Sequence, residues 1–248
     1  MKAVSSFFKS VASGASKLTG GTSLRGRRAF NAYHSQDYES MVHLCAQMSP
    51  AQFINEVKEE NINILHHCAV QDNYDALVAL CALPFFEQVV NDDSNEAGWT
   101  PLLTACAQSN KSDLRLIKLL VENGANLMKA KKDDGLASIH FAASNNDVHL
   151  LDYILSQADN TKRISNLTNN EGWTPAHFAG FLNNFDSLNL LIENGAELNE
   201  KNKNGLSCFD EIVRNDHSDL FECVWPYAKN LKRDMNQVSD LCNLSHKR

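Results

Sequence analysis

Hydrophobic residues recur along this chain in pairs of short helical stretches separated by polar residues. The first member of each pair is a compact apolar run, seen at 64–70, 102–107, 139–143 and 176–181. The second carries apolar residues three and four positions apart, as in Leu188, Leu191 and Ile192. Asn and Asp residues lie between the two members. The pattern therefore predicts repeated pairs of helices.

The pairs share one register, set by a reference residue at Gly98, Gly135, Gly172 and Gly205, with intervals of 37, 37 and 33 residues. Stepping back 37 residues from Gly98 reaches Asn61. Glycine or asparagine at the reference residue indicates a turn that needs a positive φ. The aligned stretches are NINILHHCA, GWTPLLTAC, GLASIHFAA, GWTPAHFAG and GLSCFDEIV.

The ends of the predicted helices are also marked. Two positions after the reference residue comes a side chain that can accept a backbone N–H of the first turn: Asn63, Thr100, Thr174 or Ser207. Proline follows at 101 and 175, where a helix does not need the missing N–H. The second helix is expected to end at a left-handed glycine, Gly124 or Gly195.

The order of turn, helix, helix and extended loop, with G-x-T-P-x-H-x-A and a later L-L-x-x-x-G-A-x-x-N, resembles the ankyrin repeat. The resemblance covers 61–228, with 27–60 as a degenerate first unit. It implies an all-α, ankyrin-type α-solenoid of helix-turn-helix repeats joined by extended loop or hairpin tips. The expected division is a basic amphipathic tail (1–24), a capping repeat (25–60), repeats at 61–97, 98–134, 135–171 and 172–204, a C-terminal capping repeat (205–233) and a tail (234–248).

Three repeats depart from the pattern. Repeat 98–134 has about three extra residues between its helices, in AQSNKSDLR. Repeat 135–171 has Ala137 and Ser138 in place of the cap and the proline, and ends in the longer loop QADNTKRISN. Repeat 61–97 has LPFFEQVV in place of the terminal glycine. A last helix is expected from Trp225 to 233.

Composition and charge limit the class of partner. Hydrophobic residues make up 43% and charged residues 21% of 248, as in a soluble globular protein. Up to Gln36 there are six basic and no acidic residues, whereas the remainder has 17 basic against 30 acidic. An acidic body argues against nucleic acid as a partner. Seven cysteines without a CxxC pair indicate reduced thiols and a cytoplasmic location.

The resemblance implies a non-enzymatic module that binds a protein partner through its concave face and loop tips. Two sets of positions are carried over from the family as partner contacts. The first follows the reference residue: Ile62, Trp99, Leu136, Trp173 and Leu206. The second ends the first helix: Val70, Gln71, Ala107, Gln108, Ser144, Asn145, Phe181, Leu182, Arg214 and Asn215. The first set is unusually apolar, which is typical of an interface if it is exposed. The alternative is that Trp99 and Trp173 fold down over adjacent loops.

Other residues resemble chemical sites. His66, His140 and His177 stand five positions after the reference residue, where the family uses histidine to tie loops together by backbone hydrogen bonds. His67 points in another direction on a helix, so a shared metal with His66 is not expected. Lysines 129, 131 and 132 and the paired aspartates 92–93 and 133–134 are interpreted as solvated loop tips. We expect no cofactor, no metal and no enzymatic activity.

The amino-terminal segment is a separate element. Residues 1–18 place Met1, Val4, Phe7, Phe8 and Val11 on one helical face opposite lysine and serine. Such a segment fits a flexible tail, a mitochondrial transit peptide, or a helix that docks on a membrane surface or a larger assembly. Mitochondrial localisation is therefore the alternative to a cytoplasmic one.

Two other functions stay open at this point. One is a permanent structural subunit of a large complex or organelle assembly, anchored by the amino-terminal amphipathic segment. The other is an enzyme or small-molecule binder that uses the His and Cys positions.

Overall fold

The computed structural model describes residues 23–59, 62–109 and 113–228. Within these residues the chain is built almost entirely of helices, which confirms the predicted all-α, ankyrin-type solenoid class. The helices are α1 Leu24–His34, α2 Tyr38–Ala46, α3 Pro50–Glu56, α4 Ile64–Val70, α5 Tyr74–Cys81, α6 Phe86–Val89, α7 Pro101–Gln108, α8 Arg115–Glu122, α9 Ser138–Ser144, α10 Val148–Ser156, α11 Thr161–Ser165, α12 Pro175–Phe181, α13 Phe185–Glu193, α14 Cys208–Arg214 and α15 Ser218–Ala228.

Two short strands lie between α3 and α4. Strand β1 (Lys58–Glu59) pairs antiparallel with β2 (Ile62–Asn63), and Lys58 faces Asn63 across the pair. No described helix has both the length and the apolar content needed to cross a membrane. The predicted amphipathic segment 1–18, the reference residue Asn61 and the tail 234–248 lie outside the described residues.

The helix starts confirm the capping predicted from the sequence. The Thr174 hydroxyl accepts the His177 N–H at 3.4 Å, and the Thr100 hydroxyl accepts the Leu103 N–H at 3.1 Å. Proline stands at the first helical position of both helices, as Pro101 and Pro175. These side chains satisfy backbone donors that have no partner inside the helix, which fixes where each first helix begins.

The turn between the two helices of a pair is fixed by a residue in the left-handed region. Its φ is 50° at Asp72, 51° at Asn146, 59° at Asn183 and 58° at Asp216, each eleven positions after a reference residue (for example 183 − 172). Gln36, with a φ of 60°, takes the same place between α1 and α2. Asn and Asp tolerate this conformation better than most residues. The Asn-Asp breaks seen in the sequence are therefore the turns of the helix pairs.

The reference glycines are needed for space as well as for backbone conformation. Gly135 has a φ of 75°, and a Cβ there would lie 2.5 Å from the Asn170 side-chain oxygen and 2.7 Å from its backbone nitrogen. Gly98 has a φ of 71°, and a Cβ there would lie 2.5 Å from the Lys132 side chain and 2.7 Å from its backbone nitrogen. The turn that opens one repeat therefore packs directly against the turn that opens the next.

The chain divides into two compact units. Unit 1 comprises Met1–Gln108 with Asp113–Asp133, and unit 2 comprises Ser109–Ser112 with Asp134–Arg248. In unit 1, α1 packs on α2, α4 packs on α7, and α5 packs on both α2 and α8. The buried side chains Leu77, Leu80, Leu116, Ile117 and Leu120 fill the space between α5 and α8 and their neighbours. This burial of aliphatic side chains supplies the main stabilisation, about 2 kcal/mol for each large one.

Unit 2 repeats this arrangement. Helix α12 packs on α9 on one side and on α14 on the other, and α13 packs on α10. Buried leucines at 150, 151, 188 and 191 form the seam between the second helices. Each helix pair thus covers the apolar face of its neighbour, as the sequence pattern requires.

Three departures from the sequence-based expectations concern the loops and the last helix. The loop predicted from QADNTKRISN contains the short helix α11, which packs on α10. The stretch LPFFEQVV contains α6, which packs on α3. The last helix begins at Ser218, so the predicted start at Trp225 is wrong; Phe221 stacks on Trp225 one turn later, at 5.2 Å between ring centroids. Neither short helix was predicted, because each spans fewer than two helical turns and leaves too little apolar periodicity in the sequence.

We predict that Gly26→Ala destabilises the first helix pair. A Cβ at this position would lie 1.9 Å from the Glu56 carbonyl oxygen, so α1 and the end of α3 would have to separate. Overpacking of this kind costs about 2 kcal/mol, and the better helix propensity of alanine offsets about 1 kcal/mol of it.

The loss is measured as a fall in the urea midpoint followed by circular dichroism. Leu24→Ala on the same helix, where the side chain is 62% exposed, is the control and leaves the midpoint nearly unchanged. A Gly26→Ala midpoint equal to that of the wild type would show that α1 does not pack closely against Glu56.

Candidate functional site

The histidines at the first turn of the first helices bridge neighbouring loops. Nδ1 of His177 accepts the Thr174 backbone N–H at 3.1 Å, so the ring proton is on Nε2, which donates to the Leu206 carbonyl at 3.1 Å. His140 donates from Nε2 to the Leu167 carbonyl at 3.0 Å. Each ring thus caps its own helix and holds the loop that leads into the next one. The predicted structural role of these histidines is confirmed.

His66 also holds the loop that follows its repeat, in unit 1. Its Nε2 lies 2.9 Å from the Trp99 carbonyl oxygen, and its Nδ1 lies 2.9 Å from the side-chain oxygen of Asn63. Asn95 holds the other side of that loop: its amide oxygen accepts the Trp99 N–H at 2.8 Å and its amide nitrogen donates to the Trp99 carbonyl at 2.6 Å. The loop after Gly98 is therefore fixed by side chains of the preceding repeat.

Burial lowers the pKa of His66, His140 and His177, since each imidazole loses water that would solvate its charged form. For His140 the pKa falls to about 4. His140 and His177 are consequently neutral near pH 7, the form in which Nδ1 accepts a backbone N–H and Nε2 donates to a carbonyl. Among residues 23–59, 62–109 and 113–228 no three His, Cys, Asp or Glu side chains cluster as metal ligands would.

The last repeat has aspartate where the others have histidine. The Asp210 carboxylate accepts the Ser207 backbone N–H at 2.8 Å and the Ser207 hydroxyl at 2.7 Å. The Ser207 hydroxyl in turn accepts the Asp210 N–H at 3.2 Å, which closes a capping box within one helical turn. The residue therefore caps α14 from inside its own repeat.

The cysteines fit the predicted reduced state. Among those whose side chains the structure describes, Cys45, Cys68, Cys106 and Cys208 are buried and Cys81 is half-buried, and none of these five forms a disulfide. Burial raises the pKa of Cys45 to about 12 and that of Cys81 to about 11, so both are protonated at neutral pH.

The first set of predicted partner contacts is not an exposed row. Ile62 and Trp99 are buried, each only 2% exposed, so the expectation that these two contact a partner is wrong. Leu136, Trp173 and Leu206 are half-buried. Trp99 is covered by a residue 32 positions later (131 − 99), because the Lys131 ammonium lies 4.4 Å from its ring centroid and covers the indole face.

The lysine cluster forms ion pairs with two aspartates. Lys129 and Lys132 both pair with Asp93, at 3.1 Å and 3.2 Å, and Lys131 pairs with Asp133 at 3.2 Å while its own side chain is buried. The interpretation as a solvated loop tip is therefore wrong for the buried Lys131, whereas Lys132 is exposed and Lys129 and Asp93 are half-buried. The lysines bind the loop that ends one repeat to the loop that ends the next, within unit 1.

The second set of predicted contacts ranges from half-buried to exposed. Its exposed members are Gln71, Gln108, Phe181, Arg214 and Asn215, and its half-buried members are Val70, Ala107, Ser144, Asn145 and Leu182. Gln71 accepts a hydrogen bond from the Tyr33 hydroxyl at 2.8 Å. Ser144 donates to the His140 carbonyl at 2.7 Å. Phe181 differs from the others because it presents a large apolar side chain to solvent.

Three aromatic side chains of unit 2, Trp173, Phe178 and Phe181, pack together, and Phe185 begins the next helix four residues after Phe181. We call these four residues the aromatic surface. The Trp173 ring centroid lies 5.1 Å from that of Phe178 and 5.6 Å from that of Phe181, with Phe181 edge-on. Phe181 is 37% and Phe185 47% exposed, whereas Trp173 and Phe178 are half-buried. Half-buried rings at the base and exposed rings above them make a site where a partner can bury apolar area.

The sequence interpretation included Trp173 and Phe181 but missed Phe185. Phe185 is the first residue of α13, in the polar turn NNFD, whereas the second helices of the other described repeats begin with Tyr38, Tyr74, Arg115, Val148 and Ser218. A large apolar residue in a turn rich in asparagine was the available signal.

The backbone under the aromatic surface is held by side chains of adjacent repeats. The Asn184 amide donates to the Ala143 and Ser144 carbonyls, both at 2.8 Å. The Ser187 N–H donates to the Asn146 side-chain oxygen at 3.1 Å. From the other side, His217 Nε2 lies 3.0 Å from the Phe181 carbonyl oxygen. The turn that carries Phe181 and Phe185 is thus fixed before any partner arrives, which lowers the entropic cost of binding.

Comparison with known proteins agrees with this geometry. Residues 106–202 match the family model for ankyrin repeats in three copies. The chain is 30% identical over 130 residues to the ankyrin repeat protein FPV031 of fowlpox virus (50% of this chain, 35% of that protein). It is 24% identical over 168 residues to human NF-kappa-B inhibitor zeta (65% and 23%), and 26% identical over 180 residues to the mouse B-cell lymphoma 3 protein homolog (72% and 39%). The chain spans well under half the length of each of these relatives.

We predict that Trp99 and Trp173 respond differently to substitution. Trp99→Ala removes a fully buried indole and lowers the free energy of unfolding by about 4 kcal/mol. Trp173→Ala removes a half-buried ring, and we expect it to lower the free energy of unfolding by less than half that amount. Urea denaturation of the two variants measures the difference, and equal losses would contradict the burial described here.

We also predict a pH dependence of stability that comes from the buried histidines. An unfolded histidine has a pKa near its ordinary value of 6.5, and folded His140 has one of about 4, so the unfolded chain binds more protons between these values. The stabilisation is complete above pH 6.5 and is lost as pH falls toward 4, by about 3 kcal/mol for His140.

This dependence is measured as the urea midpoint between about pH 4.5 and 7.5. His140→Gln, although less stable at neutral pH, has a shallower slope. His149→Gln, which changes an exposed histidine on α10, is the matched control. Identical slopes for the two variants would show that His140 does not contribute.

Proposed function

Because this chain belongs to the ankyrin repeat family, we propose that it is a non-enzymatic adaptor that binds a protein partner through the aromatic surface of unit 2. Ankyrin repeats are in general protein-interaction modules. The observation that carries the proposal is the exposure of Phe181 and Phe185 above the half-buried Trp173 and Phe178. Aromatic residues in such a position are the commonest energetic centres of protein interfaces.

The histidines support binding over catalysis. A general base needs a free ring nitrogen that reaches a substrate, and both nitrogens of His177 are occupied by the Thr174 N–H and the Leu206 carbonyl. The same burial that lowers the pKa of these rings keeps them within the fold. These rings therefore serve to hold neighbouring repeats together.

The names of the relatives are consistent with this role. NF-kappa-B inhibitor zeta is, by its name, an inhibitor of another protein, and this chain resembles it over 168 residues. Only the class of activity, the binding of a protein, is carried over from these relatives to the proposed function of this chain.

We predict that Phe181→Ser with Phe185→Ser abolishes partner capture and leaves the fold intact. Both side chains are partly in solvent, so their loss costs little stability, whereas the binding energy of an interface is concentrated in a few central residues. Capture from native extract by the full-length chain, quantified by mass spectrometry, falls at least about tenfold for the partner.

The control is Val78→Ser, which removes a 44% exposed apolar side chain from unit 1. Proteins captured equally by the wild type and by Val78→Ser, and lost from the double variant, are the partners. If the double variant retains every protein that the wild type captures, with an unchanged melting temperature, the aromatic surface is not the binding site.

A further inference from the structure

We propose that the aromatic surface binds a cationic segment of its partner, in which basic side chains lie on both sides of an apolar anchor. This inference rests on the proposed function and adds the chemistry of the partner. It is carried by the position of two carboxylates beside Phe181 and Phe185 and by the charge of the surrounding unit.

The first carboxylate is Asp186, which follows Phe185 at the start of α13. Its Oδ2 lies 3.5 Å from the side-chain nitrogen of Asn146, toward the preceding repeat. Asp186 is exposed and forms no ion pair with any described residue. Its charge is therefore available to a molecule that covers Phe185.

The second carboxylate is Asp216, on the opposite side of Phe181. It is the left-handed residue of the next turn, and the adjacent His217 donates to the Phe181 carbonyl. Asp216 is also exposed and, among the residues that the structure describes, has no ion pair. The two exposed phenylalanines thus have a carboxylate toward each neighbouring repeat.

The charge of the unit strengthens this local arrangement. Residues 134–228 contain 5 Lys and Arg against 14 Asp and Glu, a net charge of −9. Two of the cations are already paired, Lys162 with Glu197 at 2.8 Å and Lys203 with Glu171 at 3.9 Å. Burial raises the pKa of the Glu211 carboxyl, and the nearby charge of Arg214 opposes that rise, so Arg214 also has an acidic neighbour. An approaching cationic segment therefore meets an attractive field.

The spacing of the repeats indicates the spacing of the partner's charges. Neighbouring helices pack about 10 Å apart, and Asp186 and Asp216 belong to consecutive repeats. An extended chain advances about 3.3 Å per residue. Basic residues about three or four positions apart, with an apolar residue between them, would reach both carboxylates while the apolar side chain contacts Phe181 and Phe185. An arginine in either place would also stack on an exposed ring.

The test uses the full-length chain and the synthetic peptide GSKSFLRSG as the probe. Two matched peptides accompany it: GSESFLESG reverses the charges, and GSKSSSRSG removes the apolar anchor. Each peptide is titrated to about 5 mM, and the indole N–H resonance of Trp173 is followed by NMR. The buried Trp99, in unit 1, serves as the internal reference.

We expect the probe to shift the Trp173 resonance saturably and to bind at least about tenfold more tightly than either matched peptide. Asp186→Asn with Asp216→Asn weakens the probe about tenfold, whereas the control pair Asp152→Asn with Asp159→Asn, two exposed carboxylates elsewhere in unit 2, does not. Raising the salt concentration from about 0.05 to about 0.5 M weakens binding of the probe to the wild type more than to the Asp186/Asp216 variant.

Several results would overturn the inference. These are the absence of a Trp173 shift, equal affinity for the probe and the charge-reversed peptide, or equal affinity of the Asp186/Asp216 variant and the control pair. Binding of the chain to anionic lipid vesicles that is lost in the Phe181/Phe185 variant would also overturn it, since the surface would then recognise a membrane.

The outcome is separable from that of the proposed function. If protein capture depends on Phe181 and Phe185 but not on Asp186 and Asp216, the chain binds a partner of different chemistry and only the present inference fails. If capture does not depend on the phenylalanines, the proposed function itself fails.

Discussion

The structure depends on satisfying backbone groups between repeats. One helix pair cannot bury its own apolar faces, so each pair must lie in register with the next. The imidazoles of His66, His140 and His177 provide that register, because each bonds a carbonyl of the following loop, and those of His140 and His177 also accept a backbone N–H at the start of their own helix. A buried carbonyl left unpaired would cost about 1–3 kcal/mol, so slippage of one repeat against the next is disfavoured.

The same constraint leaves the turns between paired helices as the place for recognition. Their backbone is held by neighbouring side chains, as Asn184 holds the carbonyls of Ala143 and Ser144. The hydrogen bonds that hold this backbone do not involve the side chains at 181 and 185, so phenylalanine can be exposed to solvent at both positions. Binding chemistry can therefore change there while the hydrogen bonds between repeats stay the same.

Local signals made the helix pairs, the caps and the bridging histidines predictable. Thr174, Pro175 and His177 act within one turn of each other, so their order in the sequence specifies their contacts. Burial depends instead on residues far along the chain. Trp99 and Trp173 occupy the same repeat position, yet only Trp99 is covered, by Lys131 from 32 residues later (131 − 99). Phe185 was missed for the same reason, since exposure is decided by what the neighbouring repeats place beside it.

Asp210 shows what a carboxylate does in place of the bridging imidazole. It completes a capping box with Ser207 inside one turn. An imidazole at this position joins two contacts, the cap of its own helix and a bond to the loop beyond, as His177 does with Thr174 and Leu206. The start of a first helix can therefore be capped by two chemistries, and the side chain at this one position decides which.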